Sequence, residues 1–526
     1  MARPVETVPG DQYGRAGIVA RGGQSLALAT LCTLLFLTFL DNTVVSVALG
    51  DIYSDPGASP TELQWVVGAY ALTFASLMLA CGMIGDELGR KKVMLAGAGV
   101  FCAGSVLCAL APNVQLLIAG RAVMGMGAAA SEPGTLSMLR QLYPDARARS
   151  RAIGIWAATS GFALAMGPVI GGILIGLWNW RGIFWFNLAF GLAALVVAAV
   201  ILPESADPTA ARVDTAGTFL GAGALATFTF AIIDSESAGF GSPSVIALLC
   251  VSAVLVVVFV WRERRAENPL LDLRYLRIPQ FSTANIVAFC TYFATFAIFF
   301  FTALYLIIVV SPSGYRLALV FLPMTILMIV ASVLAGRWTA IVGPRWSITI
   351  GCLLLAVGLF LAESYLSPNP SYGPLIVALA LAGIGIGTTV VPITSSVLSA
   401  VPPQRSGMAA SATNTSREVG ALTGVAVLGS LMFSRINASL STQMNNLHVP
   451  AQYQSLVRAA IETGNFSVPP GLSGSLQKLE AELTKVAYAA FHDGLRTVLY
   501  LSAALALAAA LLAVVTLGSR PAETGS

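Results

Sequence analysis

Asp41, Arg121, Glu132, Arg417 and Glu418 stand deep inside long apolar stretches of this sequence. An ionisable group in such a stretch is costly to desolvate and is a candidate for function by default. Asp41 and Arg121 lie in two different stretches at similar depth, so a carboxylate–guanidinium pair is expected between them. A positive neighbour lowers the proton affinity of a carboxyl group and desolvation raises it. A carboxyl held between those two effects can load a proton on one side of a barrier and lose it on the other; the alternative is a static structural pair. Glu132 lies about three helical turns beyond Arg121 on the same stretch, so both can face one cavity. Three readings of Glu132 stay open: a proton site, a counter-ion for a cationic substrate, or a carboxyl at the mouth of a pathway that reaches water. Arg417 and Glu418 read either as a matching polar cluster in the second half of the chain or as a neighbouring ion pair. Glu363, near the end of its stretch, reads as solvated.

The elements that must hold these groups are membrane helices. Of 526 residues, 56% are hydrophobic and 10% charged, against about 25% charged in an ordinary soluble domain. In water such a chain would expose large apolar patches. A helix crossing a bilayer needs about 20 mostly apolar residues. Runs of that kind recur fourteen times between Ser25 and Leu517, the weakest over 215–233, which is rich in Thr and Gly and ends at Asp234. The first run leads straight into others and lacks a cleavage site, so it reads as a retained helix. Seven cysteines fall inside apolar runs without a CxxC pair, and the two histidines sit in or beside the last long loop. That pattern suggests neither a metal site nor a catalytic triad. No G-x-x-x-x-G-K-[ST] sequence occurs, which argues against ATP-driven transport.

An even number of crossings puts both termini on one side. Lys and Arg concentrate in the loops of that side, including Arg90, Lys91, Lys92, Arg140, Arg147, Arg149, Arg262, Arg264, Arg265 and Arg345. The excess marks it as cytoplasmic. The expected division is a tail over 1–24, a six-helix bundle over 25–202, two inserted helices with linkers over 203–280, a second six-helix bundle over 281–517, and a tail over 518–526. The second bundle carries a long extracellular loop, 433–493, in which 476–490 reads as a short amphipathic helix. A weak internal repeat supports the division. Gly336 and Gly343 echo Gly82 and Gly89 at the same spacing, and Gly420 and Gly424 echo Gly167 and Gly171. Repeated bundles related by an axis along the membrane normal are a transporter architecture with the substrate site between them.

The segment Gly82-Met83-Ile84-Gly85-Asp86-Glu87-Leu88-Gly89-Arg90-Lys91-Lys92 resembles the cytoplasmic loop signature of the major facilitator superfamily. Leu40-Asp41-Asn42-Thr43-Val44-Val45, Gln64-Trp65-Val66-Val67, Arg121 with Gly125 and Gly127, and Gly167-Pro168-Val169-Ile170-Gly171-Gly172 resemble its fourteen-helix drug/proton antiporter branch. So do Trp180-Arg181 with Asn187, Asn268-Pro269-Leu270 and Arg417-Glu418-Val419-Gly420. The resemblance implies an all-α integral membrane protein of the major-facilitator fold, with two six-helix bundles plus two inserted helices, fourteen transmembrane helices in all. The buried charges themselves make Asp41, Arg121, Glu132 and Glu418 the expected proton-coupling residues; the resemblance adds a conformational latch at Asp86, Gly89, Arg90 and Lys91, and an antiporter motif at Gly167, Pro168, Gly171 and Gly172. Departures touch the rest: Gly50 stands where Pro is usual, Met124 where Gln is common, and Ala163 where Gly is frequent. Glu132 itself occupies a commonly apolar position.

Trp65, Tyr70, Tyr292, Phe296, Asn414 and Arg417 are candidates for a substrate cavity, since aromatic faces attract lipophilic cations; lipid-facing packing is the alternative for the aromatics. The expected activity is export, by alternating access, of a lipophilic cationic drug or antibiotic in exchange for protons. It needs no cofactor beyond the proton gradient, no nucleic acid and no second copy, and it is not an enzymatic activity. The expected place is the cell membrane, with lipid and substrate as partners. A translocator of lipid or cell-envelope components would share the fold, and a non-transporting receptor would need no titrating pair.

Overall fold

A computed structural model describes residues 21–204, 214–266, 269–306, 314–366, 371–402, 406–446 and 474–518. Fourteen long helices form it: α1 (Arg21–Ser54), α2 (Pro60–Leu88), α3 (Arg90–Ala109), α4 (Val114–Leu142), α5 (Ala146–Leu177), α6 (Arg181–Ile201), α7 (Thr215–Ala238) and α8 (Pro243–Glu263). They continue with α9 (Pro279–Tyr305), α10 (Gly314–Val342), α11 (Pro344–Tyr365), α12 (Tyr372–Ser399), α13 (Ser406–Asn446) and α14 (Gly474–Thr516). Twelve are each long and apolar enough to cross a bilayer, and α5 becomes a thirteenth as two halves that meet at a bend. Lipid offers no hydrogen bonds, so each crossing must satisfy its own main chain, which a helix does.

Local sequence sets the helix ends. Ser59 and Glu62 form a reciprocal capping box at the start of α2, with Pro60 in the first turn, where its missing N–H costs nothing. Asn113, Asp145 and Asp214 cap α4, α5 and α7 through their side chains. Single glycines join α2 to α3 and α10 to α11: Gly89 has φ +114° and Gly343 φ +82°. A side chain is strained at such angles, which explains why both copies of the sequence repeat keep glycine there.

The second echo also has a structural counterpart. In each half the fifth helix lies almost backbone to backbone on the first. A methyl group on Gly167 of α5 would come within 2.9 Å of the Val44 amide of α1, and one on Gly171 within 2.9 Å of the Val44 carbonyl. In the second half, a methyl on Gly420 of α13 would come within 3.0 Å of the Phe289 carbonyl carbon of α9, and one on Gly424 within 3.0 Å of the Phe293 carbonyl oxygen.

The halves, α1–α6 and α9–α14, meet along two seams, α2 on α13 and α5 on α10. The α2–α13 seam runs from Gln64 against Gly429, through Gly68 against Leu422, to Gly82 against Ser411. Between the halves in sequence, α7 and α8 pair with each other. Helix α7 touches both sides of the α2–α13 seam: Phe230 packs on Trp65 of α2, with ring centroids 4.5 Å apart, and the Ser235 and Ser430 hydroxyls lie 2.9 Å apart. Helix α8 is apolar all round and exposes Val254, Val257 and Trp261, as a lipid-facing helix should.

Two sequence expectations change. The loop expected over 433–493 is shortened from both ends, because α13 continues to Asn446 and α14 begins at Gly474. The segment 476–490 is therefore the first part of α14 rather than a separate short helix; residues 447–473 lie outside the described residues. Ile436, Leu440 and Met444 recur every four residues on α13 and are buried in one cluster with Val486, Ala490 and Phe491 of α14, so the two extensions hold each other. Glu363 is also not a free solvated carboxyl: it is buried, accepts a hydrogen bond from the Tyr500 hydroxyl at 2.9 Å and pairs with Arg496 at 3.4 Å.

A buried polar cluster between the two halves

The charged residues singled out above converge. Asp41 of α1 and Arg121 of α4 form an ion pair with no exposure on either side chain. The second Asp41 oxygen accepts from Asn187 Nδ2 of α6 at 2.6 Å. Arg121 Nε donates to the Val66 carbonyl of α2 at 2.8 Å, and its guanidinium carbon lies 4.5 Å from the centre of the Tyr70 ring. Tyr70 is itself fixed by donating its hydroxyl to the Thr38 carbonyl at 3.0 Å. Four helices of one half thus hold this pair rigid.

The next residue does something else. Successive helical residues point about 100° apart, so Asn42 turns away from Asp41 toward the other half. Asn42 Nδ2 donates to Glu418 Oε1 of α13 at 3.0 Å. A second bond of the same kind crosses in the opposite sense: Asn414 Nδ2 of α13 donates to Glu132 Oε1 of α4 at 2.5 Å. Each half therefore offers one carboxylate and one carboxamide to the other. Arg417 closes the cluster, donating to Asn414 Oδ1 at 3.1 Å, to the Thr394 hydroxyl at 2.8 Å and to the Val390 carbonyl at 3.3 Å. Its guanidinium carbon lies 5.5 Å from the Tyr292 ring centre.

Several atoms in this cluster have no hydrogen-bond partner among the described residues: Glu132 Oε2, Glu418 Oε2, Tyr292 Oη, Arg417 Nε, Arg121 Nη2 and Asn187 Oδ1. A buried polar group left unpaired costs about 1–3 kcal/mol. Such a concentration is where a proton, water or ligand would find partners.

Tyr70, Tyr292, Asn414 and Arg417 belong to this cluster, and Phe296 is buried nearby on α9. Trp65 does not belong: it packs on α7, away from the seam centre. Of the loop signature, Gly89 makes the α2–α3 turn and packs against the Glu204 carboxyl. Lys91 donates to the Ala199 carbonyl at 2.7 Å, in the last turn of α6, where a cation suits the helix dipole. Both contacts are made to α6 or to the residues just after it. Arg90 starts α3 beside them, and the Asp86 side chain lies outside the described residues. Gly167, Pro168, Gly171 and Gly172 are buried in α5, Gly167 and Gly171 on the α1 face described above. Sequence reasoning missed Thr394 as a member, and named Asn42 and Asn187 only within motifs. The available signal was an amide beside Asp41 inside an apolar run.

The sequence matches the Major Facilitator Superfamily over residues 31–425. It is 32% identical over 486 residues to the multidrug resistance protein Stp of Mycobacterium tuberculosis (strain CDC 1551 / Oshkosh), covering 92% of this chain and 89% of that one. It is 35% identical over 421 residues to the methylenomycin A resistance protein of Bacillus subtilis (strain 168), covering 79% and 89%. The multidrug efflux pump LfrA of Mycolicibacterium smegmatis is 29% identical over 487 residues, covering 92% and 94%. Among solved structures, a bacterial homologue of the human lysosomal transporter Spinster, inward-facing and occupied, superposes with a TM-score of 0.63 at 17% identity, covering 95% and 98%. That likeness speaks to the fold. The family match and the aligned lengths place this multi-pass membrane protein, a transporter and not an enzyme, in the major facilitator superfamily.

Proposed function

We propose that the chain is a proton-coupled exporter of lipophilic cationic drugs or antibiotics, working by alternating access from a cell membrane with both termini cytoplasmic. One observation carries the coupling: carboxyl groups of both halves, Glu132 and Glu418, are buried at the seam and held by carboxamides from the opposite half. Protonation removes a charge from such a carboxylate and weakens the bond that joins the halves. Proton loading and relative movement of the halves thereby become one event. The Asp41–Arg121 pair lies one residue from Asn42, so a change there bears directly on the same contact. Export is supported by relatives whose names describe multidrug and antibiotic resistance. Proton-gradient energy, action as a monomer and a role for Asp86, Gly89, Arg90 and Lys91 in latching one state belong to the same reading.

Everted membrane vesicles from cells expressing the protein test it. Adding a lipophilic cation should collapse an imposed pH gradient, and Asp41→Asn should abolish the collapse while the protein remains in the membrane. Normal coupling in Asp41→Asn would remove that residue from the mechanism. No collapse with any cation, in vesicles that retain the protein, would remove proton exchange altogether.

A further inference from the structure

The cluster contains more acid than base. Asp41 is matched by Arg121. Glu132 and Glu418 have one guanidinium near them, Arg417, whose charge acts on both carboxyl groups and which bonds to Asn414, the partner of Glu132. With all five ionised, one negative charge is unbalanced. Asn414 and Glu418 are four residues apart on α13 and so share a face, with Cβ atoms about 5–6 Å apart. Glu132 is bonded to Asn414, which places the two carboxyl groups roughly a helical turn from each other. Each spends Oε1 on a carboxamide and keeps Oε2 unpaired. Both side chains are 1% exposed, and Tyr292, 2% exposed, adds an unpaired hydroxyl and a ring face from α9. The groups facing this space are Tyr70 from α2, Glu132 from α4, Tyr292 from α9, and Arg417 and Glu418 from α13, with Asp41 and Arg121 behind them.

The geometry points to a single subsite, formed by Glu132, Glu418 and Tyr292, that takes one monovalent cation bearing N–H donors: a protonated amine rather than a quaternary ammonium. The unbalanced charge sets the valence. The two unpaired carboxylate oxygens set the need for donors, because a cation without N–H would leave them unpaired. Tyr292 feels the charge of both carboxyl groups, and its ring, with the Arg417 guanidinium 5.5 Å from its centre, offers an apolar flank to an ammonium group. This inference rests on the export reading and narrows its substrate class.

The full-length protein in nanodiscs, titrated by calorimetry with phenylbutylammonium and with its N,N,N-trimethyl analogue, tests it. The two probes share a tail and a charge and differ in N–H donors. The amine should bind about tenfold more tightly or better, the scale of a charge-assisted hydrogen bond. Glu132→Gln and Glu418→Gln should each erase most of that preference, and Glu132→Asp should keep part of it. Glu363→Gln, remote from the cluster, should leave it unchanged. Equal affinity of the unmodified protein for the two probes overturns the subsite, whatever the variants do. A preference that survives in both Gln variants overturns its location. Binding is measured without a gradient, so a failure of proton exchange in vesicles would sink the export reading and leave this result standing.

Discussion

The hydroxyl of Thr43 in α1 donates to the main-chain carbonyl of Leu164 in α5, 2.9 Å away. Leu164 lies four residues before Pro168, which has no N–H to complete the helical bond. One helix therefore caps the defect that proline creates in its neighbour. Gly167 allows the approach, since a methyl group there would come within 2.7 Å of Thr43 Cβ. The motif reads physically as a proline that frees a carbonyl and a glycine that admits its new donor.

That reading predicts a specific rescue. Thr43→Val keeps the side chain's shape and removes the donor, leaving a buried carbonyl unpaired at a cost of about 1–3 kcal/mol. Pro168→Ala restores the N–H, so Thr43→Val should cost clearly less in that background. Thermal unfolding of the four proteins in detergent checks it. An equal penalty in both backgrounds would show that the Thr43 hydroxyl does not serve the proline defect.

The Asp41–Arg121 pair predicts non-additivity. Arg121→Met leaves a buried carboxylate without its counter-charge, and breaking one side of a buried pair costs about 3–5 kcal/mol. Combining it with Asp41→Asn removes the stranded charge. The double variant should melt well above Arg121→Met, yet remain without pH coupling in vesicles. A double variant as unstable as the sum of the singles would mean that the pair is not energetically coupled.

How much of this was legible depended on what constrains each feature. The apolar runs were readable because lipid forces every crossing into a long helix, and even the Thr-rich run at 215 forms α7. Asp41 and Arg121 could be matched because few charges lie so deep and their depths agree. The Asn42–Glu418 bond joins residues far apart in sequence, and an amide carries no charge to flag it. Trp65 looked like a cavity aromatic, but its partner is Phe230 on an inserted helix, and sequence does not reveal where that helix docks. The extensions of α13 and α14 were read as loop because they hold no continuous apolar run. They are held by one narrow stripe, Ile436, Leu440 and Met444, facing its mate.

The α2–α13 seam predicts a reversible lock. A Cβ at Gly82 would lie 3.5 Å from Ser411 Oγ; that oxygen is one bond beyond the Ser411 Cβ, so the Cβ atoms of two cysteines here would stand close to the separation of about 3.5–4.5 Å that a disulfide needs. Gly82→Cys with Ser411→Cys should cross-link on mild oxidation, and export should stop and return with reductant. Full transport by quantitatively cross-linked protein would show that this end of the seam does not part during the cycle.

The inserted pair predicts a pH signature at its own end of the bundle. Asp214 caps α7 by accepting from the Gly217 amide at 3.0 Å, and it receives Arg262 Nε at 3.0 Å and Nη2 at 2.7 Å, tying α7 to α8. Burial pushes its carboxyl up, but the hydrogen bonds from Arg262 and the helix N-terminus outweigh that and hold it below the ordinary carboxylate range. The folded state thus binds the proton more weakly than the unfolded chain. The resulting stability is complete above the unfolded value of about pH 4 and drains away as pH falls through the lower folded value. Asp214→Ala should cost about 0.5–2 kcal/mol at neutral pH, as loss of a cap does. Thermal melts across a pH series should show the gap between variant and parent closing only below about pH 4. A gap that holds constant or widens in acid would mean that Asp214 stabilises the pair by packing alone.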